Sequence, residues 1–339
     1  MIWLTWRQFR TPALVAAAAL VIALAFMAVT GSRLAHDYTT LGLSSCAAGH
    51  EAQVGTLSCG DLQRKFLGYY PALRLLGPLL LFVPALIGAF WGAPLIAREL
   101  EAGTQRLAWV QSVTRTRWLG IKLAVIGAVG VGLTALLSLA ITWWSGPFDR
   151  LNGRMSPEAF AQRGLVPLAY AAFAFALGAA VGAVIHRTLP AMAAALGGFV
   201  LVRIGVQWLR PRLVNPLELS YPTFTFMGDE PPGRMASEHG WVLSTRTLDS
   251  AGHVLSSGGT VRDDVVIRLC HRNIADITKF DLDACGRELG LHNVVRVIAP
   301  DRFWVLQAWE AAIFGGLALV LVGFTFWCCL LYTSDAADE

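Results

Sequence analysis

The sequence predicts an all-α transmembrane protein of six membrane-spanning helices, with a small extracytoplasmic α/β or β-containing insertion before the last helix. Three observations carry this. Of 339 residues, 55% are hydrophobic and only 15% are charged, against about 25% charged in soluble domains. The shortfall comes from long stretches with no charge at all. One sizeable polar segment, residues 210–305, separates the last apolar stretch from the others.

The spans follow in order. Residues 11–32, 75–97, 123–148, 164–185 and 311–334 carry no Asp, Glu, Lys or Arg. Each exceeds the roughly 20 residues that cross about 30 Å of hydrocarbon. A sixth stretch, 188–209, is broken only by Arg203. Soluble core helices seldom sustain such runs. The run 11–32 is too long for the apolar part of a signal peptide and no small-residue cleavage site follows it closely, so it reads as a retained first span. The organisation expected is a transmembrane domain over 1–209, an extracytoplasmic insertion over 210–305 and a last span over 306–327. Residues 328–339 form an acidic tail that reads as non-native.

Basic residues orient the chain. Arg98, Arg106, Arg115, Arg117 and Lys122 make the segment between spans two and three the densest short basic stretch, which the positive-inside rule places in the cytoplasm. The amino terminus is then cytoplasmic, in a multi-pass protein of the plasma membrane. Trp3, Trp6, Trp91, Trp118, Trp143, Trp144, Trp208, Trp304 and Trp309 fall near span ends, as an interfacial aromatic belt requires. Residues 1–10 mix Trp3, Trp6 and Phe9 with Arg7 and Arg10, which suits a short helix lying on the lipid surface. Thr11 and Pro12 would then cap and start the first span. In the insertion, residues 241–243 and 265–267 read as short strands, and Pro231-Pro232-Gly233 and Ser257-Gly258-Gly259 as turns.

Cys46 and Cys59 in the first outside loop, and Cys270 and Cys285 in the insertion, face an oxidising compartment. Local pairing, Cys46 with Cys59 and Cys270 with Cys285, is the simplest of three connectivities. Free thiols are the plainer alternative. A zinc site from Cys270, His271, Cys285 and His292 is the sharper one, but the spacing fits no standard template. No metal or other cofactor is therefore expected. Gly178 and Gly182 form a small-x-x-x-small pair suited to close helix packing; Pro78 and Pro84 are kink candidates in span two. Arg203 is the one ionisable residue inside an expected span. Such a residue marks either a functional intramembrane charge or a side chain that snorkels to the interface.

Catalytic signals are absent. The chain has no G-x-x-x-x-G-K-[ST] phosphate loop, no H-E-x-x-H and no G-x-S-x-G, so it is expected to be a transport subunit and not an enzyme. The net charge of +4 is small, and no nucleic-acid partner is expected. Residues 98–107 read R-E-x-E-x-G-T-x-x-L and residues 112–122 read S-x-x-R-x-x-W-L-x-x-K. Thr104 suits the cap of a short amphipathic helix. This segment resembles the cytoplasmic loop of permease subunits of type-2 ABC transporters. The start, W-L-T-W-R-Q-F-R-T-P over residues 3–12, is similar to actinobacterial members, and so is the six-span plan. The resemblance implies an exporter pathway, a separate ABC ATPase subunit, a second permease subunit and the lipid bilayer as partners. It also implies that Glu99, Glu101, Gly103, Thr104 and Arg115 belong to a coupling element docking on the ATPase. Leu107 and Val110 are the apolar anchors expected on that helix. An ATP-independent carrier and a membrane-anchored sensor are the competing classes. A carrier would call for paired intramembrane charges or inverted repeats. The transported compound is not legible.

Overall fold

The computed structural model describes residues 2–44, 59–69, 81–103, 114–222, 239–257 and 288–331. Among these, six helices are long and apolar enough to cross a membrane. The helices are α1 (Ile2–Thr40), α2 (Cys59–Tyr69), α3 (Val83–Glu101), α4 (Arg115–Trp144), α5 (Gly146–Asn152), α6 (Pro157–Gln162), α7 (Val166–Ile185), α8 (Thr188–Leu213) and α9 (Phe303–Leu331). The chain divides into two compact units: Met1–Leu151 with Glu158–Leu209 and Gln307–Glu339, and Asn152–Pro157 with Arg210–Leu306.

In the first unit α7 is the central helix. About 67% of its apolar window is buried, against 11% in α1 and 17% in α9. Its composition explains the position. Alanines and glycines let neighbours approach to backbone distance, which is how helices associate where lipid removes the hydrophobic drive. A Cβ added at Gly178 would lie 2.2 Å from the Gly88 carbonyl oxygen, and one at Gly182 would lie 2.5 Å from that of Ala93. The relation is mutual, because a Cβ at Gly88 or Gly92 would lie 2.5 Å from the carbonyl oxygen of Ala174 or Phe175. The pair Gly178 and Gly182 is thus met by a second pair at the same spacing, Gly88 and Gly92.

That second pair bounds a π-helical segment, Gly88–Gly92, inside α3. Pro84 stands at the start of the helix, where its missing N–H costs no intrahelical bond. Phe9, Ala13, Ile87, Ile96, Trp118, Leu123, Ala171 and Phe175 form one apolar core between α1, α3, α4 and α7. Leu34, Tyr38, Leu62 and Phe66 make another where α2 packs on the end of α1.

One expectation fails. Residues 1–10 do not form a separate surface helix, because α1 runs unbroken through Pro12. A proline withdraws a single N–H, whereas a break at membrane depth strands several backbone groups without partners. The helices also outrun the uncharged stretches: α4 begins at Arg115 and α8 ends at Leu213.

The second unit holds a four-stranded antiparallel sheet of β1 (Leu217–Pro222), β2 (Trp241–Leu248), β3 (Val254–Ser257) and β4 (His292–Ile298) in the order β1-β4-β2-β3. The strand expected at 241–243 is the start of β2, while 265–267 and the Pro231 turn lie outside the described residues. β4 alternates in burial, with Asn293, Val295 and Val297 inward, as a half-buried central strand should. Asn293 pairs with Thr247 across the ladder, and the Thr247 hydroxyl donates to its Oδ1 at 2.8 Å. Arg210 is almost fully buried and lies over the Trp241 ring at 5.8 Å.

Candidate functional site

The end of α3 carries the charged residues singled out in the sequence. Arg98, Glu99 and Glu101 occupy its last turn, and Gly103 closes it at φ +67 with its N–H donating to Leu100 at 3.3 Å. Among the described residues no atom lies within 4 Å of where a Gly103 side chain would sit. Glycine is therefore required for the left-handed turn and not for space.

The two carboxylates reach different helices. Glu99 pairs with Lys122 of α4. Lys122 is nearly enclosed, with 7% of its side chain exposed against 21% for Glu99, and it also lies 4.5 Å from the centroid of the Trp118 ring. Glu101 reaches α8: Thr188, its first residue, donates its backbone N–H to Glu101 Oε2 at 3.0 Å and its hydroxyl at 2.7 Å. The first N–H groups of a helix lack intrahelical acceptors and carry its positive dipole end. A carboxylate from a neighbouring helix answers both needs. The α7–α8 turn is short because His186 adopts a left-handed conformation, φ 57, and its N–H bonds to the Gly182 carbonyl at 3.3 Å. The end of α3, the start of α4 and the α7–α8 turn therefore share one face of the helical unit. Deeper along α3, Phe9 near the start of α1 makes an edge-on contact with Trp91 at 4.7 Å.

Of the remaining coupling residues, Arg115 is the first residue of α4, and Thr104, Leu107 and Val110 lie outside the described residues. Cys59 is the first residue of α2; Cys46, Cys270 and Cys285 lie outside the described residues, as does His271. Among the described residues no group of His, Cys, Asp and Glu is arranged to hold a metal ion. Cys328 and Cys329 are free thiols in α9.

Arg203 is not an isolated charge. Its guanidinium stands 5.2 Å from the Tyr170 ring centroid, and its Nε is buried without a hydrogen-bond partner among the described residues. The Tyr170 hydroxyl donates to the carboxylate of Glu310, which is 1% exposed. Phe314 packs edge-on against Tyr170 at 4.7 Å. Three residues along, Gln307 accepts the N–H groups of Leu165 and Val166 at 3.0 Å and donates to the Phe160 carbonyl at 3.0 Å. It thereby supplies the first turn of α7. Sequence reading missed Glu310 because the uncharged run begins one residue later, at Ala311. It also treated Arg203 as the one ionisable residue within a span, whereas the helices enclose Glu99, Lys122 and Glu310 as well.

With this geometry in view, a family profile described as ABC-2 membrane transporter related matches residues 17–210. The chain belongs to this family. It is a membrane component of an ABC-type transporter, and the matched stretch contains both Glu99 and Glu101 with their partners Lys122 and Thr188. Comparison with curated proteins and with solved structures finds no match. The ABC-2 permease is multi-pass, with six helices long and apolar enough to cross a membrane and a small antiparallel sheet among the described residues.

Proposed function

We propose that this permease lines the translocation pathway of an exporter and is driven by a separate ATPase subunit docking on the face that carries the α3–α4 connection. Two permease chains, identical or related, would enclose the pathway. The observation that carries the reading is the double attachment of the end of α3, through Glu99 to α4 and through Glu101 to α8. A docking element must pass displacement to the spans. Here residues just before the connection are tied to two other helices, so a push on it moves three helices together. The basic residues of the same segment support a cytoplasmic position for this face and for the amino terminus. Gly103 supplies the turn from which the connection departs.

The test replaces the two expected anchors, Leu107 and Val110, with Asp in the full complex. The ATPase should dissociate on purification and transport should fail, while the chain still inserts. Retention of the ATPase with full transport overturns the assignment. Absence of any ATPase with the wild-type chain favours the carrier or sensor class. Sidedness is checked independently: a cysteine introduced at Gln105 should resist impermeant reagents in intact cells, and one at Ser257 should react. Peptide mapping without reductant should show Cys46 linked to Cys59 and Cys270 linked to Cys285; free thiols at all four positions exclude both bridges.

A further inference from the structure

A cavity of about 530 Å³ opens between the start of α1, α3 and the start of α4. Pockets of roughly 300–1,000 Å³ hold organic ligands of moderate size. Its lining is graded along α3. Arg98, Glu99 and Lys122 lie at the end where α3 finishes and α4 begins; Phe90, Trp91, Leu95 and Ile126 line the deeper part. Eight residues separate Phe90 from Arg98, about 12 Å of helix at 1.5 Å per residue. Phe90 is 59% exposed on the surface of a membrane-spanning helix, so the deep end opens toward hydrocarbon. The charged end is not neutral. Lys122 compensates Glu99, whereas Arg98 is exposed and has no ion pair among the described residues. Among the described lining residues one positive charge is therefore left at the mouth of an apolar groove.

We propose that this groove binds a phospholipid with an anionic head group, drawn from the leaflet on the amino-terminal side, with Arg98 facing the head group and Phe90, Leu95 and Ile126 facing the acyl chain. A polar mouth, an apolar floor and a sideways opening match an amphiphile better than a soluble anion, which has no use for the apolar depth. The inference rests on the membrane-spanning architecture and not on coupling to an ATPase, so its failure leaves that reading untouched.

The test is photolabelling of the full chain in phosphatidylcholine vesicles containing no ATPase. A small fraction of phosphatidylglycerol carrying an acyl-chain carbene precursor is included, and a phosphatidylcholine probe of the same chain serves as control. An unpaired basic residue near the surface contributes about 1 kcal/mol toward an anionic lipid. The anionic probe should therefore label peptides containing residues 90–98 and 122–126 about fivefold more than the control probe. Arg98→Glu should abolish that preference. Leu95→Trp, which fills the groove without altering charge, should lower labelling by both probes at these peptides and nowhere else. Equal labelling by both probes, unchanged by Arg98→Glu, would show ordinary lipid contact and overturn the proposal. So would labelling of other spans with none at these peptides, which would place a second copy over the groove.

Discussion

Glu101, the last residue of α3, accepts two hydrogen bonds from Thr188, the first residue of α8, at 3.0 and 2.7 Å. The two are 87 positions apart, yet one carboxylate oxygen serves both donors. A side chain that caps another helix fixes the end of its own. Glu101→Ala should lower the thermal unfolding midpoint in detergent, and Thr188→Ala should do the same. The double variant should be no worse than the more damaged single one, since both remove the same interaction. Additive losses would show that the two residues act separately.

The Glu99–Lys122 pair makes an asymmetric prediction. Removing one partner of an enclosed pair leaves the other charge without compensation, a loss of up to ~3 kcal/mol for a pair as enclosed as this one. Lys122→Met should therefore destabilise the permease more than the combination of Lys122→Met with Glu99→Gln. Denaturant or thermal titration of the three variants gives the order.

Close packing of α3 on α7 predicts sharp intolerance at one glycine and indifference at another. Gly178→Ala places a methyl group 2.2 Å from the Gly88 carbonyl oxygen, and the helices must separate at a cost of about 1–3 kcal/mol. Among the described residues nothing lies within 4 Å of a Cβ at Gly132, so Gly132→Ala should leave stability and expression unchanged. Monodispersity on size exclusion and the thermal midpoint separate the two.

The turn between β2 and β3 predicts a dependence on acidity. Asp249 accepts the N–H groups of Ala251 and His253 at 2.9 and 2.8 Å. The backbone N–H of His253 is foremost in holding its carboxyl below the ordinary aspartate range. A carboxylate whose pKa falls on folding stabilises the folded form above its unfolded value of ~3.9, and that contribution is lost as pH falls through the lower folded value. Protection of the Ala251 and His253 amides from hydrogen exchange should therefore weaken below about pH 4. Asp249→Asn should remove the dependence.

How far the sequence led can be read from particular residues. Uncharged length located five of the six spans and a run broken only by Arg203 located the other, because lipid demands apolar length of every span, and α7 ends at Ile185 as the run does. The helices run past the ends of those stretches. Arg98, Lys122 and Arg210 sit inside helices, where a partner, a ring or an exposed position makes a charge tolerable. The sheet was legible only at Trp241. β1 is mostly exposed and β4 carries His, Asn and Arg among its valines, which blurs the alternation. At the site, Glu99, Glu101, Gly103 and Lys122 all stand in the motif, but neither the pairing of Glu99 with Lys122 nor Thr188 as the partner of Glu101 is written there. Lys122 and Thr188 are joined to them by folding alone, at separations no local period encodes. The glycine pairing was half visible: Gly178 and Gly182 were noticed, and Gly88 and Gly92 were hidden in a run read for hydrophobicity.

The π-helical segment Gly88–Gly92 has a consequence for everything that follows it in α3. A wide turn of this kind accommodates one residue more than an α turn, and one residue is about 100° of rotation. It thus sets the phase between the two halves of the helix. The half packed on α7 through its glycines and the half bearing Arg98, Glu99 and Glu101 face directions that a regular helix of this sequence would not present together. Deleting one residue within 88–92 would keep the span long and apolar, yet swing the carboxylates away from Lys122 and Thr188. The azimuth of the charged end is written in the irregularity of the apolar middle.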